Sequence, residues 1–195
     1  MVLTLVATIL GVIGFIPYLR DIFLLKTKPH SYTWLIWFLT QGTAVCVAWY
    51  GGSGWGILNL IVGVFLVFVV FIFSLKYGTK NISKGDTITL IAVLCAILVW
   101  WQLDQPILSV FIVSIIDLVG YFPSFRKTWQ EPWSETLSTW AIFAVSDIFS
   151  LLALAEYNFL TVTYLVSITI ANLVLFLVAS FRRSSVSRPG IFIKP

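Results

Sequence analysis

The chain has 195 residues, 59% of them hydrophobic and only 10% charged, with a formal net charge of +4. Soluble domains hold roughly 45–50% apolar and about 25% charged residues. A water-facing globule is therefore excluded, and the solvent around most of this chain must be lipid.

A membrane-crossing helix needs about 20 mainly apolar residues. The first apolar run predicts a helix over 2–24; it lacks a basic start and stays apolar too long to be a cleaved signal peptide. Ser31 through Leu75 carries no charge, so it holds two spans, over 33–51 and 55–76, with Gly51-Gly52-Ser53-Gly54 as the turn. Further spans are predicted over 87–103, 106–127, 135–155 and 158–181. The apolar runs do not alternate as the strands of a membrane barrel do, and a helix satisfies its own backbone in lipid. The expected fold is thus all-α and integral to the membrane, with seven transmembrane helices.

Charge placement orients them. Arg20, Lys26 and Lys28 lie at the first connection, Lys76, Lys80 and Lys84 at the third, and Arg126 and Lys127 at the fifth. Arg182, Arg183, Arg188 and Lys194 follow the last span, which completes the twelve Lys and Arg, all on one side. The opposite connections carry only Asp104 and Glu156. The expectation is a multi-pass protein of the cell membrane with its amino terminus outside and its carboxyl terminus cytoplasmic. The positive charge is then a topology signal, reinforced by attraction to anionic lipid, and not a nucleic-acid footprint. Cys46 and Cys95 lie within helices and read as small apolar residues, with no metal site or disulfide. Trp49, Trp55, Trp100 and Trp101 near the outer face, and Trp34, Trp129 and Trp133 near the inner one, read mostly as interface anchors. His30, in the first inner connection, reads as solvated or facing headgroups, and Arg20 and Arg126 as interface residues that snorkel.

The chain also repeats itself. Gly14-Phe15-Ile16-Pro17-Tyr18-Leu19-Arg20 aligns with Gly120-Tyr121-Phe122-Pro123-Ser124-Phe125-Arg126. Pro29, Ser31, Thr33 and Trp37 align with Pro132, Ser134, Thr136 and Trp140 at a spacing three residues shorter. Helices one to three and five to seven are expected to be two copies of one unit. Three spans end on the opposite side from where they began, so helix four restores the orientation and makes the repeats parallel. The expected divisions are 1–79 for the first repeat, 80–104 for the linker helix, 105–182 for the second repeat and 183–195 for a basic tail.

This 3 + 1 + 3 plan, with a Pro near the inner end of each unit's first helix, resembles the SWEET and PQ-loop transporter superfamily. Ala48-Trp49-Tyr50-Gly51 is similar to the aromatic-Tyr-Gly ending found there. The chain departs from the family at Pro17-Tyr18 and Pro123-Ser124, where PQ-loop proteins carry Pro-Gln, and Pro29 and Pro132 precede helices two and six instead of lying inside them. The resemblance implies transport of a small polar solute, a sugar or similar metabolite, by alternating access. It also implies a substrate-binding Asn in each third helix, for which Asn59 and Asn172 are the candidates.

The residues themselves point to the same region. Polar side chains in lipid face the bundle interior, and Gln41, Asp117, Asp147 and Asn172 fall near mid-depth, with Asn59 further out. Trp37, Gln41 and Ala44 share one helix face; Trp140, Ala144 and Asp147 share the corresponding one. Trp37, Gln41, Asn59, Trp140, Asp147 and Asn172 are thus the expected substrate lining, an apolar plate beside hydrogen-bonding groups. Interhelical hydrogen bonding is the competing role for the amides. Asp117 and Asp147 have no Lys, Arg or His at their depth, and an unpartnered carboxylate in an apolar medium is costly, so both are proton-coupling candidates. Pro17 and Pro123 each remove a helical hydrogen bond one turn beyond Gly14 and Gly120, and these four are the expected gate hinges.

The alternatives are a PQ-loop-like receptor or trafficking component without flux, and an intramembrane aspartyl protease built on Asp117 and Asp147. A photoreceptor is excluded because every Lys lies at an inner connection or in the tail, with none inside the bundle to carry retinal. No enzyme activity, cofactor, metal or nucleic-acid partner is expected. The partners are a small polar solute and the bilayer, with self-association into a homo-oligomer left open.

Overall fold

The computed structural model describes residues 1–100, 102 and 105–187. Trp101 and Asp104, and the tail with Arg188 and Lys194, lie outside the described residues. The described chain is all helix: α1 (Val2–Phe23), α2 (Ser31–Tyr50), α3 (Leu58–Tyr77), α4 (Lys84–Trp100), α5 (Pro106–Gly120), α6 (Phe122–Gln130), α7 (Leu137–Leu152) and α8 (Phe159–Ser185). Short 3-10 turns at Gly54–Ile57 and Pro132–Ser134 precede α3 and α7. Among the described residues, four stretches are long and apolar enough to cross a membrane, namely Val2–Phe23, Gly54–Tyr77, Ile107–Gln130 and Phe159–Ser185.

The span predicted over 106–127 is broken at Tyr121, where α5 hands over to α6. Pro123 has no N–H to offer the preceding turn. The Tyr121 amide accordingly reaches back only three residues, to the Leu118 carbonyl at 3.1 Å, and regular bonding resumes with Phe125 N–H on the Tyr121 carbonyl at 2.8 Å. Its counterpart Pro17 lies inside an uninterrupted α1. The two aligned segments therefore share a motif and differ in backbone.

At the end of α2, Gly52 and Gly54 take positive φ, which side-chain-bearing residues rarely adopt. That tight turn places the Ser53 carbonyl within 3.3 Å of the Ala155 amide. The α8 start is held beside it. Asn158 accepts from the Leu160 and Thr161 amides, Thr161 returns a bond to the Asn158 amide, and Asn158 Nδ2 donates to the Gly51 carbonyl at 2.8 Å.

The helices form a ring. α3 packs between α1 and α2, and α8 packs between α5 and α7. α1 then lies against α7 and α2 against α5, with α4 on the outside against α5 and α2. The exterior is apolar: Ile9, Phe65, Phe122, Leu177 and Phe181 are all exposed, which in water would be an aggregating surface and in lipid is matched. The interior is rich in small and polar groups, including Thr4, Thr40, Ser114, Thr139, Ser146 and Ser150. Such residues let helix backbones approach and bond one another in membranes. Gly14 sits where a Cβ would come within 2.7 Å of the Phe143 ring, and its carbonyl accepts from Thr139 Oγ1 at 3.0 Å. Gly120 is the matching position, where a Cβ would come within 2.6 Å of Ile36 Cγ2. The two expected hinge glycines thus lie at tight contacts of α1 with α7 and of α5 with α2. Cys46 and Cys95 are exposed on the helix exterior, far from any pairing role.

Candidate functional site

At the centre of the ring is a cavity of about 70 Å³. A water needs about 10–15 Å³ of such space, so the interior has room for several. Trp37, Gln41, Asn59, Trp140, Asp147 and Asn172, the expected lining, all border it, and so does Asp117. The sequence reasoning did not single out Tyr121, Tyr164, Ser146, Phe15 and Phe143, which border it too. Tyr121 had a usable signal, since it lies one helical turn after Asp117 and aligns with Phe15 in the repeat.

The polar groups form two short chains. Asp117 Oδ1 accepts from the Thr40 hydroxyl and from Tyr164 Oη at 3.0 Å. Tyr121 Oη donates to Asn172 Oδ1 at 2.8 Å, and Asn172 Nδ2 donates to Asp147 Oδ2 at 2.8 Å. No hydrogen bond joins the two acids. Asn59 is held differently from Asn172: its amide nitrogen donates to Ser150 Oγ at 2.9 Å. Glycines make room for the amides, since a Cβ at Gly63 would fall 2.9 Å from Gln41 Nε2 and one at Gly11 would overlap Asn59 Oδ1.

Trp37 packs against Tyr121 with ring centroids 4.4 Å apart, against Trp34 at 5.1 Å and against Trp140 at 5.9 Å. Trp37 is 6% exposed, yet its indole N–H has no hydrogen-bond partner. Tyr18 continues the aromatic stack, 5.1 Å from Trp34 and 5.9 Å from Trp140. Trp34 belongs to this packed layer and is fully buried, so the interface-anchor expectation fails for it. Trp129 and Trp133, the other two residues expected near the inner face, have rings 4.6 and 4.8 Å from the Arg182 and Arg183 guanidinium carbons.

Next to the aromatic layer, at the end of the bundle that carries the basic residues, is an ionic one. Lys127 and Glu135 form an ion pair with neither side chain accessible. Lys127 also donates to the Lys28 carbonyl at 2.8 Å, and Trp140 Nε1 donates to Glu135 Oε2 at 3.2 Å. Asp21 accepts from Thr136 at 3.0 Å, and Thr136 meets Thr27 hydroxyl to hydroxyl at 2.5 Å. Together they bind the loop after α1 to the start of α7.

Two expectations are overturned here. His30 is fully buried instead of solvated, with Nε2 3.4 Å from Asp86 Oδ2. Arg126 does not extend to the interface alone; it grips Asp86 through its Nη2 at 2.6 Å and its Nε at 3.3 Å. Asp86 also caps its own helix by accepting from the Ser83 amide at 2.7 Å. Its carboxyl therefore ties α4 to α6 and to the loop before α2. Burial pushes that carboxyl up, but the Ser83 amide and Arg126 outweigh burial and hold it below its ordinary range. Burial also lowers the His30 imidazole, against the opposing pull of Asp86. Arg20 is exposed and pairs only with its neighbour Asp21 at 3.0 Å.

No protein-family model, curated protein or solved structure matches the chain.

Proposed function

We propose that this protein is a SWEET-like membrane transporter that moves a small polar solute by alternating access. In this reading the chain crosses the membrane seven times, with α5 and α6 forming one span, and the amino terminus faces outside. α1–α3 and α5–α8 are parallel three-helix repeats joined by α4, and the solute binds between them.

The observation that carries the reading is a central cavity bordered by polar and aromatic groups from both halves. Trp37, Gln41 and Asn59 come from the first half, and Asp117, Trp140, Asp147 and Asn172 from the second. Such a space at a repeat interface is where parallel-repeat carriers bind their solutes. The aromatic stack and the bonds that Lys127 and Thr136 make to Lys28, Thr27 and Asp21 are the inner gate, and they separate when the halves rock apart. Gly14 and Gly120, at the two cross-half contacts, are the pivots, with Pro17 and Pro123 weakening the adjoining turns. Asp147 or Asp117 exchanges a proton or supplies charge during the cycle.

Purified protein in liposomes, offered a panel of labelled solutes, tests this directly. Time-dependent accumulation of one solute, lost on replacing Trp37 and Asp147, is expected. Saturable binding with no flux would instead favour a PQ-loop-like receptor.

A further inference from the structure

The charge balance of the cavity narrows the solute class; this inference rests on the central cavity being the solute site. Two carboxyl groups border it, and no Lys, Arg or His does among the described residues. Each carboxyl spends one oxygen on protein donors: Oδ1 of Asp117 on Thr40 and Tyr164, and Oδ2 of Asp147 on Asn172. Among the described residues, no donor reaches the second oxygen of either. An anionic guest would meet two acids with no counter-charge in an apolar surround, which opposes its entry. A neutral guest could bond the amides but would make no use of the ionised form of either acid.

The walls favour positive charge as well. Trp37, Tyr121 and Trp140 converge within 4.4–5.9 Å, centroid to centroid, and aromatic faces attract cations most strongly where water is excluded. Trp37 borders the cavity, and among the described residues its buried indole N–H has no acceptor. We infer that the site takes a small organic cation, a protonated or quaternary amine, that also carries a hydrogen-bond acceptor such as a hydroxyl oxygen. The charged head sits between the carboxyls and the aromatic rings, and the acceptor takes the Trp37 N–H.

The test is binding to the detergent-solubilised full chain, followed by quenching of its tryptophan fluorescence. Choline and ethanolammonium are the cationic probes. The uncharged isostere of choline, 3,3-dimethylbutan-1-ol, and glucose are the neutral ones. At least one cation is expected to bind about ten-fold or more tightly than the isostere. Asp147→Asn and Asp117→Asn are each expected to weaken that cation about ten-fold or more, leaving the isostere unchanged. Equal binding of choline and its isostere overturns the inference, as does glucose binding without any cation binding, or no binding by either cation. These comparisons use the unmodified protein, so they stand even where a variant fails to fold. Cation binding without flux in liposomes would keep this inference and remove the transporter reading; glucose flux without cation binding would do the reverse.

Discussion

Trp140 borders the central cavity and donates its indole N–H to Glu135 at 3.2 Å, while the other oxygen of Glu135 holds the buried ammonium of Lys127. A cavity wall and a charged lock are therefore one hydrogen bond apart. Whatever displaces the Trp140 ring also disturbs the pairing of a charge that has no solvent to fall back on.

Removing one partner of a buried ion pair leaves an uncompensated charge and costs about 3–5 kcal/mol. Glu135→Gln should therefore lower the thermal unfolding midpoint of the purified protein sharply. The double change Lys127→Met with Glu135→Leu should recover most of the loss, since it removes both charges. A double variant no more stable than the single one would show that the pair is not isolated from water.

The helix crossings give a second expectation. Gly14→Ala and Gly120→Ala insert a methyl 2.7 Å from Phe143 and 2.6 Å from Ile36, and overpacking of this kind costs about 1–3 kcal/mol. Gly42→Ala meets nothing within 4 Å and should be neutral or stabilising by up to about 1 kcal/mol. Unfolding midpoints of the three variants decide the matter, and equal values would mean that the crossings are loose.

If Asp147 is the coupling acid, Asp147→Asn should remove the pH dependence of solute uptake while some uptake survives. Uptake measured across a pH series in liposomes tests it. An unchanged profile would shift the role to Asp117 or eliminate coupling.

Acidification should loosen the end of the bundle that carries the basic residues. The His30 imidazole is held below its ordinary 6.5, so between the two values the unfolded chain binds the proton and the folded one does not. That stability is complete above 6.5 and is lost as pH falls toward the lowered folded value. Asp86 acts in the same sense below its ordinary 3.8. The unfolding midpoint should thus fall between roughly pH 7.5 and 5.5, and less steeply in His30→Gln. An equally steep fall in the variant would assign the titration to another group.

Much of this arrangement was legible beforehand. Helix positions followed from apolar run length; Trp37, Gln41, Trp140, Asp147 and Asn172 followed from depth and helical period, because lipid forces polar groups inward, and Asn59 from the resemblance. The lateral network was not. Tyr164 and Thr40 look like ordinary span residues until α8 and α2 bring them to Asp117. The charge of Lys127 places it at the fifth connection, and only the fold pairs it with Glu135. His30 was misread for the same reason: its partner Asp86 is far along the chain.

The interruption at Tyr121 has a mechanical consequence. The residue at which the second half's first helix loses register is also the one whose phenol grips Asn172. A guest that claimed the Asn172 side-chain oxygen would release that grip at the break between α5 and α6, whereas α1 runs through Pro17 without a break. On the transporter reading, occupancy would act first on that half, with the other as the frame against which it swings.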